Sequence, residues 1–483
     1  MLGPPSLLFN DFYELTMAQA YHKASIHRRY ACFDYFFRRN PFKGGYTIFA
    51  GLEDLIRFIE SFQFYSDDID YLKSLGVFTD DFIQHLMKLR FTGDIYAPPE
   101  GTPVFPLEPV MRVQGPLEEC QLLESVLLNT INFQSLIATK AARVCQEAGE
   151  DNVIEFGLRR AQGIDGALSA SRAAYIGGCA ATSNLLAGKR FAIPVRGTHA
   201  HSYVLAFESE LAAFRRFAED YPDNTVLLLD TYNVIESGLP NAIKVGLEMK
   251  QRGHLLRGVR IDSGDLAYLS NVARTMLDDA GLVETKIICS GDLDEYVIQS
   301  LNAQTTKIDG YGVGTNLISA DGESALSGVY KLNALRENGK NGPRWLMRIK
   351  LTEELQKMTL PGPKQVFRLH NRQQEFIADI IELEGVTHDF SKGIVGVHPL
   401  SDNQRKSYDS ISRAETMLLL VVKNGRVQLE FPSLEEVRKY MKREIKKLDP
   451  TTRRLMNPHV YKVSLSPELH RVTEQTRRAI DYL

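Results

Sequence analysis

The sequence predicts an α/β protein whose central part is a βα barrel-like domain, and three observations predict it. From about residue 152, short apolar runs of strand length recur, namely NVIEF, FAIPVRG, TVLLLD, LLRGVRID, KIICSGD and KIDGYGVGT, each running into Gly, Asp, Ser or Thr. Helical periodicity marks several of the intervals between them, such as Ile243–Arg252 and Leu266–Ala280. Asp230, Asp262 and Asp292 follow one another at 32 and 30 residues, about one βα unit each. Strands that are apolar along their length and alternate with helices belong to a parallel sheet covered on both faces. Six or more such units close most economically into a barrel, with functional residues at the carboxyl ends of the strands. An open doubly wound sheet would produce the same pattern.

The flanking segments read differently. Residues 8–21 predict a helix entered through Asn10 or Asp11, with Glu14 biased toward its N-terminus. Prolines interrupt residues 92–113, with Val, Phe and Met between them, which predicts short β segments. Residues 117–148 carry Leu122, Leu123, Val126, Leu127, Ile131, Ile137 and Val144 at largely helical spacing, so one or two helices are expected. The βα pattern lapses after residue 335. ENGKNGPR (337–344) reads as a turn or loop, and Asn424-Gly425 as the corner of a hairpin between LLLVVK and VQLEF. The basic run Arg438–Lys447 reads as a solvated helix face. The expected division is 1–150, 151–335 for the barrel-like catalytic domain, and 336–483, with the first and last segments combining into a flanking α+β domain.

Composition narrows the class. The 483 residues are 44% hydrophobic and 24% charged, the balance of an ordinary globular protein. A net charge of −3 gives no general attraction for nucleic acid or an anionic membrane. Cys32, Cys120, Cys145, Cys179 and Cys289 are scattered, odd in number and without CxxC spacing, which predicts reduced, mostly buried thiols and no zinc ribbon. The N-terminal residues do not read as a signal peptide, and Ala173–Gly188, though uncharged, is broken by Gly, Ser, Thr and Asn. A cytoplasmic chain is expected.

Chemistry concentrates at the predicted strand ends. Gly197-Thr198-His199-Ala200-His201-Ser202 follows FAIPVR and combines a permissive glycine, two hydroxyls and two imidazoles. Arg159-Arg160 closes the NVIEF strand and suits an anion, although a surface salt bridge is the simpler reading of such a pair alone. Arg260-Ile261-Asp262-Ser263-Gly264-Asp265, Cys289-Ser290-Gly291-Asp292 and Gly312-Val313-Gly314-Thr315 place charge and backbone nests at three more ends. Arg159, Arg196, Arg260, several carboxylates and a Gly-Thr turn at one end of a sheet describe a pocket for a phosphorylated sugar with a divalent metal. His199 and His201 would also suit a barrel metallohydrolase. That reading needs histidines on later strands, and only His254 follows before Tyr330, away from a strand's carboxyl end.

The motifs FGLRRAQG, GGCAATSN, GTHAHS, VRIDSGDL, CSGDLDE and DGYGVGT, in this order and spacing, resemble those of nicotinate phosphoribosyltransferases, as do NDFYELTM near the start and NPHVYKVSLS near the end. Segments 55–90 and 370–420 carry no such motif. The resemblance implies that nicotinate, phosphoribosyl diphosphate and ATP react to give nicotinate mononucleotide, diphosphate, ADP and phosphate, the first step from nicotinate toward NAD. It implies Mg²⁺ and a transiently phosphorylated His201, with Asp230, Asp262 or Asp265 holding the imidazole ring. Asp230 and Asp262 are expected in the catalytic set, and Asp265 as a metal ligand. Tyr13, supplied by a neighbouring subunit of a homodimer, and Phe156 would sandwich the pyridine. Thr198 and Arg260 would bind its carboxylate, and Arg159, Gly291, Asp292, Gly314 and Thr315 would line the ribose and phosphate region. Ser183 stands where the related nicotinamide enzyme has an Asp, which would spare the carboxylate an opposing anion. A phosphoribosyltransferase acting on nicotinamide or quinolinate, and a nucleotide-sensing homologue without turnover, are the alternatives.

Overall fold

The computed structural model describes residues 6–339, 342–352, 354 and 357–481. The chain forms two compact units, one from the residues up to Leu136 together with those from Ala325 onward, the other spanning Ile137–Ser324. The boundaries expected at 150/151 and 335/336 therefore shift. The first falls instead at 136/137, inside the Glu124–Ala148 helix, and the Gly328–Gly339 strand belongs wholly to the first unit.

In the first unit, N- and C-terminal segments interleave within one seven-stranded antiparallel sheet. Tyr30–Phe37 lies between Met111–Pro116 and Gly328–Gly339, and Asp94–Ala97 pairs with Leu419–Lys423. A second, six-stranded sheet is built only from residues beyond 363. The first predicted helix spans Phe12–Lys23 with Asp11 at its N-cap, and the 117–148 region divides into Leu117–Gln121 and Glu124–Ala148. Asn424 (φ 50°) and Gly425 (φ 73°) turn the expected hairpin, both in the left-handed region that a tight two-residue corner requires.

Two expectations for this unit are corrected. ENGKNGPR reverses the chain, as a turn would, but is not an open loop: residues 337–339 and 342–344 continue a β-ribbon in which Gly339 faces Gly342, while 340–341 lie outside the described residues. The Arg438–Lys447 run is only partly solvated. Its helix, Leu434–Ile445, is fixed by a Ser433/Glu436 capping box and turns Arg438, Met441 and Glu444 inward, with Lys447 Nζ 2.8 Å from the Glu444 carboxylate.

The second unit contains five of the predicted parallel strands and one that was not predicted, β2: β1 (Val153–Glu155), β2 (Ala181–Thr182), β3 (Val226–Leu228), β4 (Gly258–Ile261), β5 (Lys286–Ser290) and β6 (Gly310–Val313). Their order is β2-β1-β6-β5-β4-β3, all pairs parallel. Leu227, Val259, Ile261, Ile287, Cys289 and Val313 are fully buried, as strands covered on both faces require. Helices are held to this core by charge as well. Lys140 and Arg143 of Glu124–Ala148 lie 2.7 and 2.9 Å from Glu295, the first residue of helix Glu295–Ala303, and all three are almost wholly buried. Leaving such a cluster half-paired costs about 3–5 kcal/mol, so it fixes the two helices firmly.

FAIPVRG, expected as a strand, is not one. Phe191 ends the Leu185–Phe191 helix, Ala192 is left-handed (φ 55°) and Pro194 has no N–H to donate. What remains is one parallel bridge, Val195 to Thr182. The ladder therefore runs Val195-β2-β1-β6-β5-β4-β3 and is barrel-like, with a gap between the Val195 segment and β3. His199 fills that gap: its Nε2 accepts the Leu228 N–H at 3.1 Å while its ring packs on Phe217, Phe214 and Tyr203. Among the described residues no disulfide links the five cysteines, and no helix is long and apolar enough to cross a membrane.

Acting as an acceptor, His199 must be neutral at Nε2, and burial lowers its pKa to about 4. A histidine with a folded pKa depressed below its unfolded value contributes full stability above the unfolded pKa and loses it as pH falls toward the folded one. The protein should therefore lose roughly 3 kcal/mol through this ring between pH 7 and pH 4. Urea unfolding across that range should show a shallower acid decline for His199→Gln, whose amide oxygen can accept the same N–H. Identical pH slopes for both proteins would refute the role.

Candidate functional site at the carboxyl ends of the parallel strands

Arg260, one residue before the end of β4, is the centre of the site. Its Nε donates to Ser290 Oγ at 2.7 Å, its Nη1 to Thr198 Oγ1 at 3.0 Å and its Nη2 to Asp262 Oδ1 at 2.6 Å. Ser290 Oγ donates to the same Asp262 oxygen. Three of five guanidinium N–H groups are thus committed, which fixes the plane of the fork. Burial alone would raise the Asp262 carboxyl, but the Ser290 hydroxyl and the Arg260 charge outweigh it and hold the group below the ordinary carboxylate value. The strand ends approach closely because Gly291 (φ 95°) has no side chain: a Cβ there would sit 2.1 Å from the Asp262 carbonyl oxygen.

An aromatic face lies beside this fork. The Arg260 guanidinium carbon is 5.3 Å from the centroid of Phe156, the residue after β1. Gly312 on β6 makes room for that ring, since a Cβ would come within 2.5 Å of it. Glu155, wholly buried, fixes the turn: its carboxylate accepts from the Gly157 N–H, from Ser171 Oγ at 2.9 Å and from Thr182 Oγ1 at 2.6 Å. Glu155 pairs with Thr182 in the ladder, so Ser183 follows β2 at the level where Phe156 follows β1. Ser183 also borders a cavity of about 510 Å³ lined by Leu158, Ile164, Leu168, Asn184 and Leu185.

The two loop histidines differ. His199 is buried and structural. His201 opens the short His201–Leu205 helix, with Nδ1 3.2 Å from Thr231 Oγ1 and Nε2 3.9 Å from Asp262 Oδ2. The second distance is electrostatic contact, too long for a hydrogen bond. Among the carboxylates expected to hold this ring, Asp262 is the one in reach of it by these distances, and it does so with the oxygen that Arg260 leaves unused. Asp230, after β3, is bound elsewhere: its Oδ2 accepts from the Asp262 N–H at 3.2 Å and from Ser263 Oγ at 2.5 Å. Its Oδ1 is buried without a hydrogen-bond partner.

The remaining predicted residues occupy strand-end turns. Asp265 is the N-cap of helix Leu266–Asp279, accepting the Tyr268 N–H at 3.0 Å. Asp292 is exposed with φ 46°, beside Gly291. Gly314 and Thr315 open a single helical turn after β6. Arg159 is exposed on the Leu158–Arg160 turn, with no intramolecular ion pair among the described residues. Tyr13 lies in the other unit, 46% exposed on the Phe12–Lys23 helix, and so is not core. Thr231 and Glu155 were not singled out by the sequence, and Ser290 and Gly312 lay inside the strand-end motifs without a role of their own. Thr231 directly follows Asp230 and Ser290 stands two residues before Asp292 in the CSGD motif, the signals that would have drawn attention to them.

Residues 8–132 match the family described as nicotinate phosphoribosyltransferase (NAPRTase) N-terminal domain, and residues 363–473 the nicotinate phosphoribosyltransferase C-terminal domain. The chain is 43% identical to the nicotinate phosphoribosyltransferase of Bacillus subtilis over 95% of its own length and 93% of that protein's. It is 37% identical to that of Dictyostelium discoideum over 96% and 86%. The crystal structure of human nicotinic acid phosphoribosyltransferase superposes with a TM-score of 0.85 at 32% identity, covering 96% of this chain and 99% of the other. A nicotinate-nucleotide pyrophosphorylase from Pyrococcus furiosus, at 21% identity and a TM-score of 0.68, shares the fold. The chain belongs to the nicotinate phosphoribosyltransferase family.

Proposed function

We propose that this protein joins nicotinate to 5-phosphoribosyl 1-diphosphate, giving nicotinate mononucleotide and diphosphate, with hydrolysis of ATP coupled through a phosphohistidine. The observation that carries the reading is the Arg260 fork, locked by Asp262 and Ser290, bordered by the Thr198 hydroxyl and by the Phe156 ring. A planar cation with N–H groups to spare suits a carboxylate, and an adjacent aromatic face suits the flat pyridine bearing it. Ser183 near the same strand ends adds no opposing anion.

The pyridine nitrogen attacks the anomeric carbon as diphosphate leaves, so the site's task is alignment and charge neutralisation. Arg159, exposed and without an ion-pair partner among the described residues, and the turns at Gly291-Asp292 and Gly314-Thr315 would receive the ribose and phosphates. The oxygen donors fit Mg²⁺: Asp230 Oδ1 is buried and unpartnered. Asp230, with Asp265 and chiefly the diphosphate oxygens, would hold the ion, which supplies neutralisation of the departing charge. His201 is the phosphorylated residue in this reading. If its Nδ1–H donates to Thr231 Oγ1, the Nε2 lone pair is free to attack the γ-phosphate, and Asp262 stabilises the positive charge that the ring develops.

Incubation with γ-labelled ATP should label the wild-type protein and the His199→Gln variant but not His201→Ala. Thr231→Val should slow labelling while leaving the circular dichroism spectrum unchanged. Label retained by His201→Ala would overturn the assignment.

A homodimer in which Tyr13 completes the partner's site accounts for a tyrosine left exposed on its helix. Mixing inactive Tyr13→Ala with inactive His201→Ala subunits should then restore about a quarter of wild-type activity, because about half of the dimers are mixed and each has one intact site. Exchange verified by mass without recovered activity would show that Tyr13 does not act across subunits.

A further inference from the structure

The first unit contains a second cluster of chemically active side chains, unused by the reaction above. His22 lies in the last turn of the Phe12–Lys23 helix, His27 in the link to strand Tyr30–Phe37, and His85 on helix Asp80–Leu86. Their rings gather with centroid separations of 4.6–5.1 Å, and one potential ligand atom from each lies within 4.8 Å of the others. Two carboxylates hold the cluster from outside: Asp81 Oδ2 is 2.8 Å from His22 Nε2, and Glu118 Oε2 is 2.6 Å from His85 Nε2. The Glu118 N–H also donates to the His27 carbonyl at 3.2 Å.

We propose that His22, His27 and His85 form a binding site for a divalent transition-metal ion, with zinc the expected occupant and Asp81 and Glu118 orienting the rings. Three features separate this from aromatic packing. Nδ1 of His22 and Nδ1 of His27 are buried with no hydrogen-bond partner, a costly arrangement unless something else takes their lone pairs or protons. The Nε2 contacts of His22 and His85 to carboxylates reproduce the outer bonds that fix ligating imidazoles, leaving the other ring nitrogen for the ion. Glu118 Oε1 is likewise buried and unpartnered beside them, so net negative charge is available to balance a cation. An imidazole-rich donor set selects zinc, copper, nickel or cobalt over magnesium, so the Mg²⁺ proposed for catalysis would not compete. Three protein ligands leave the fourth tetrahedral position to water. The bound ion would clamp the C-terminal end of the helix carrying Tyr13 to helix Asp80–Leu86.

The test uses the full-length protein without a histidine tag, stripped by chelator and dialysed against Zn²⁺ in the presence of millimolar Mg²⁺. Elemental analysis should find one zinc per chain, retained against Mg²⁺, and Co²⁺ substitution should give the intense visible absorption of a tetrahedral site. His27→Gln and His85→Gln should abolish both signals, and Glu118→Gln should weaken zinc binding by about tenfold or more. Absence of zinc and of a tetrahedral cobalt spectrum in the folded wild-type protein would overturn the proposal, even if the variants failed to fold. Undiminished binding by His27→Gln and His85→Gln would overturn it as well.

Discussion

The site depends on how one carboxylate divides its two oxygens. Asp262 Oδ1 takes the Arg260 fork and the Ser290 hydroxyl, while Oδ2 faces the His201 ring. A charged hydrogen bond of this type contributes roughly 1.5–3 kcal/mol. The further consequence is geometric, because the cation expected to receive a substrate carboxylate and the imidazole expected to carry a phosphoryl group are both referred to a single anion. Keeping Asp262 ionised is therefore a requirement, and its depressed pKa meets it despite partial burial.

The parallel strands exist in this unit to deliver such groups to one end. Phe156, Ser183, Asp230, Asp262, Gly291 and Gly314 each follow the last residues of a different strand. Glycines set how closely those ends can approach: Gly291 admits the Asp262 carbonyl and Gly312 admits the Phe156 ring. Where the ladder lacks a hydrogen-bonding neighbour, the His199 side chain supplies the acceptor that a backbone carbonyl would have provided. One histidine of the GTHAHS loop thus completes the scaffold so that the other can be presented at its edge.

Much of this was legible in the sequence because five of the six strand-length apolar runs ending in polar residues do form parallel strands. β1, β3, β4, β5 and β6 fall within NVIEF, TVLLLD, LLRGVRID, KIICSGD and KIDGYGVGT. FAIPVRG failed because local backbone chemistry, left-handed Ala192 and the missing N–H of Pro194, overrode an apolar pattern. The Arg438–Lys447 run misled because charge in sequence does not show which helix face is packed, and Arg438 and Glu444 turn inward. Thr231 and Ser290 left no separate trace: a hydroxyl is common in any turn, and its value here comes only from standing within hydrogen-bond reach of His201 and Arg260. The His22, His27 and His85 cluster was equally invisible, since its members come from three separate elements and have no ligand spacing.

The measurement closest to the central claim compares nicotinate kinetics of the wild-type protein with those of Arg260→Lys. Lysine keeps the charge but loses the planar fork that Asp262 and Ser290 hold in place. At unchanged thermal stability, the KM for nicotinate should rise about tenfold to a hundredfold, the equivalent of one charged hydrogen bond, with a smaller effect on the KM for phosphoribosyl diphosphate. An unchanged KM for nicotinate together with an unchanged kcat would contradict the account.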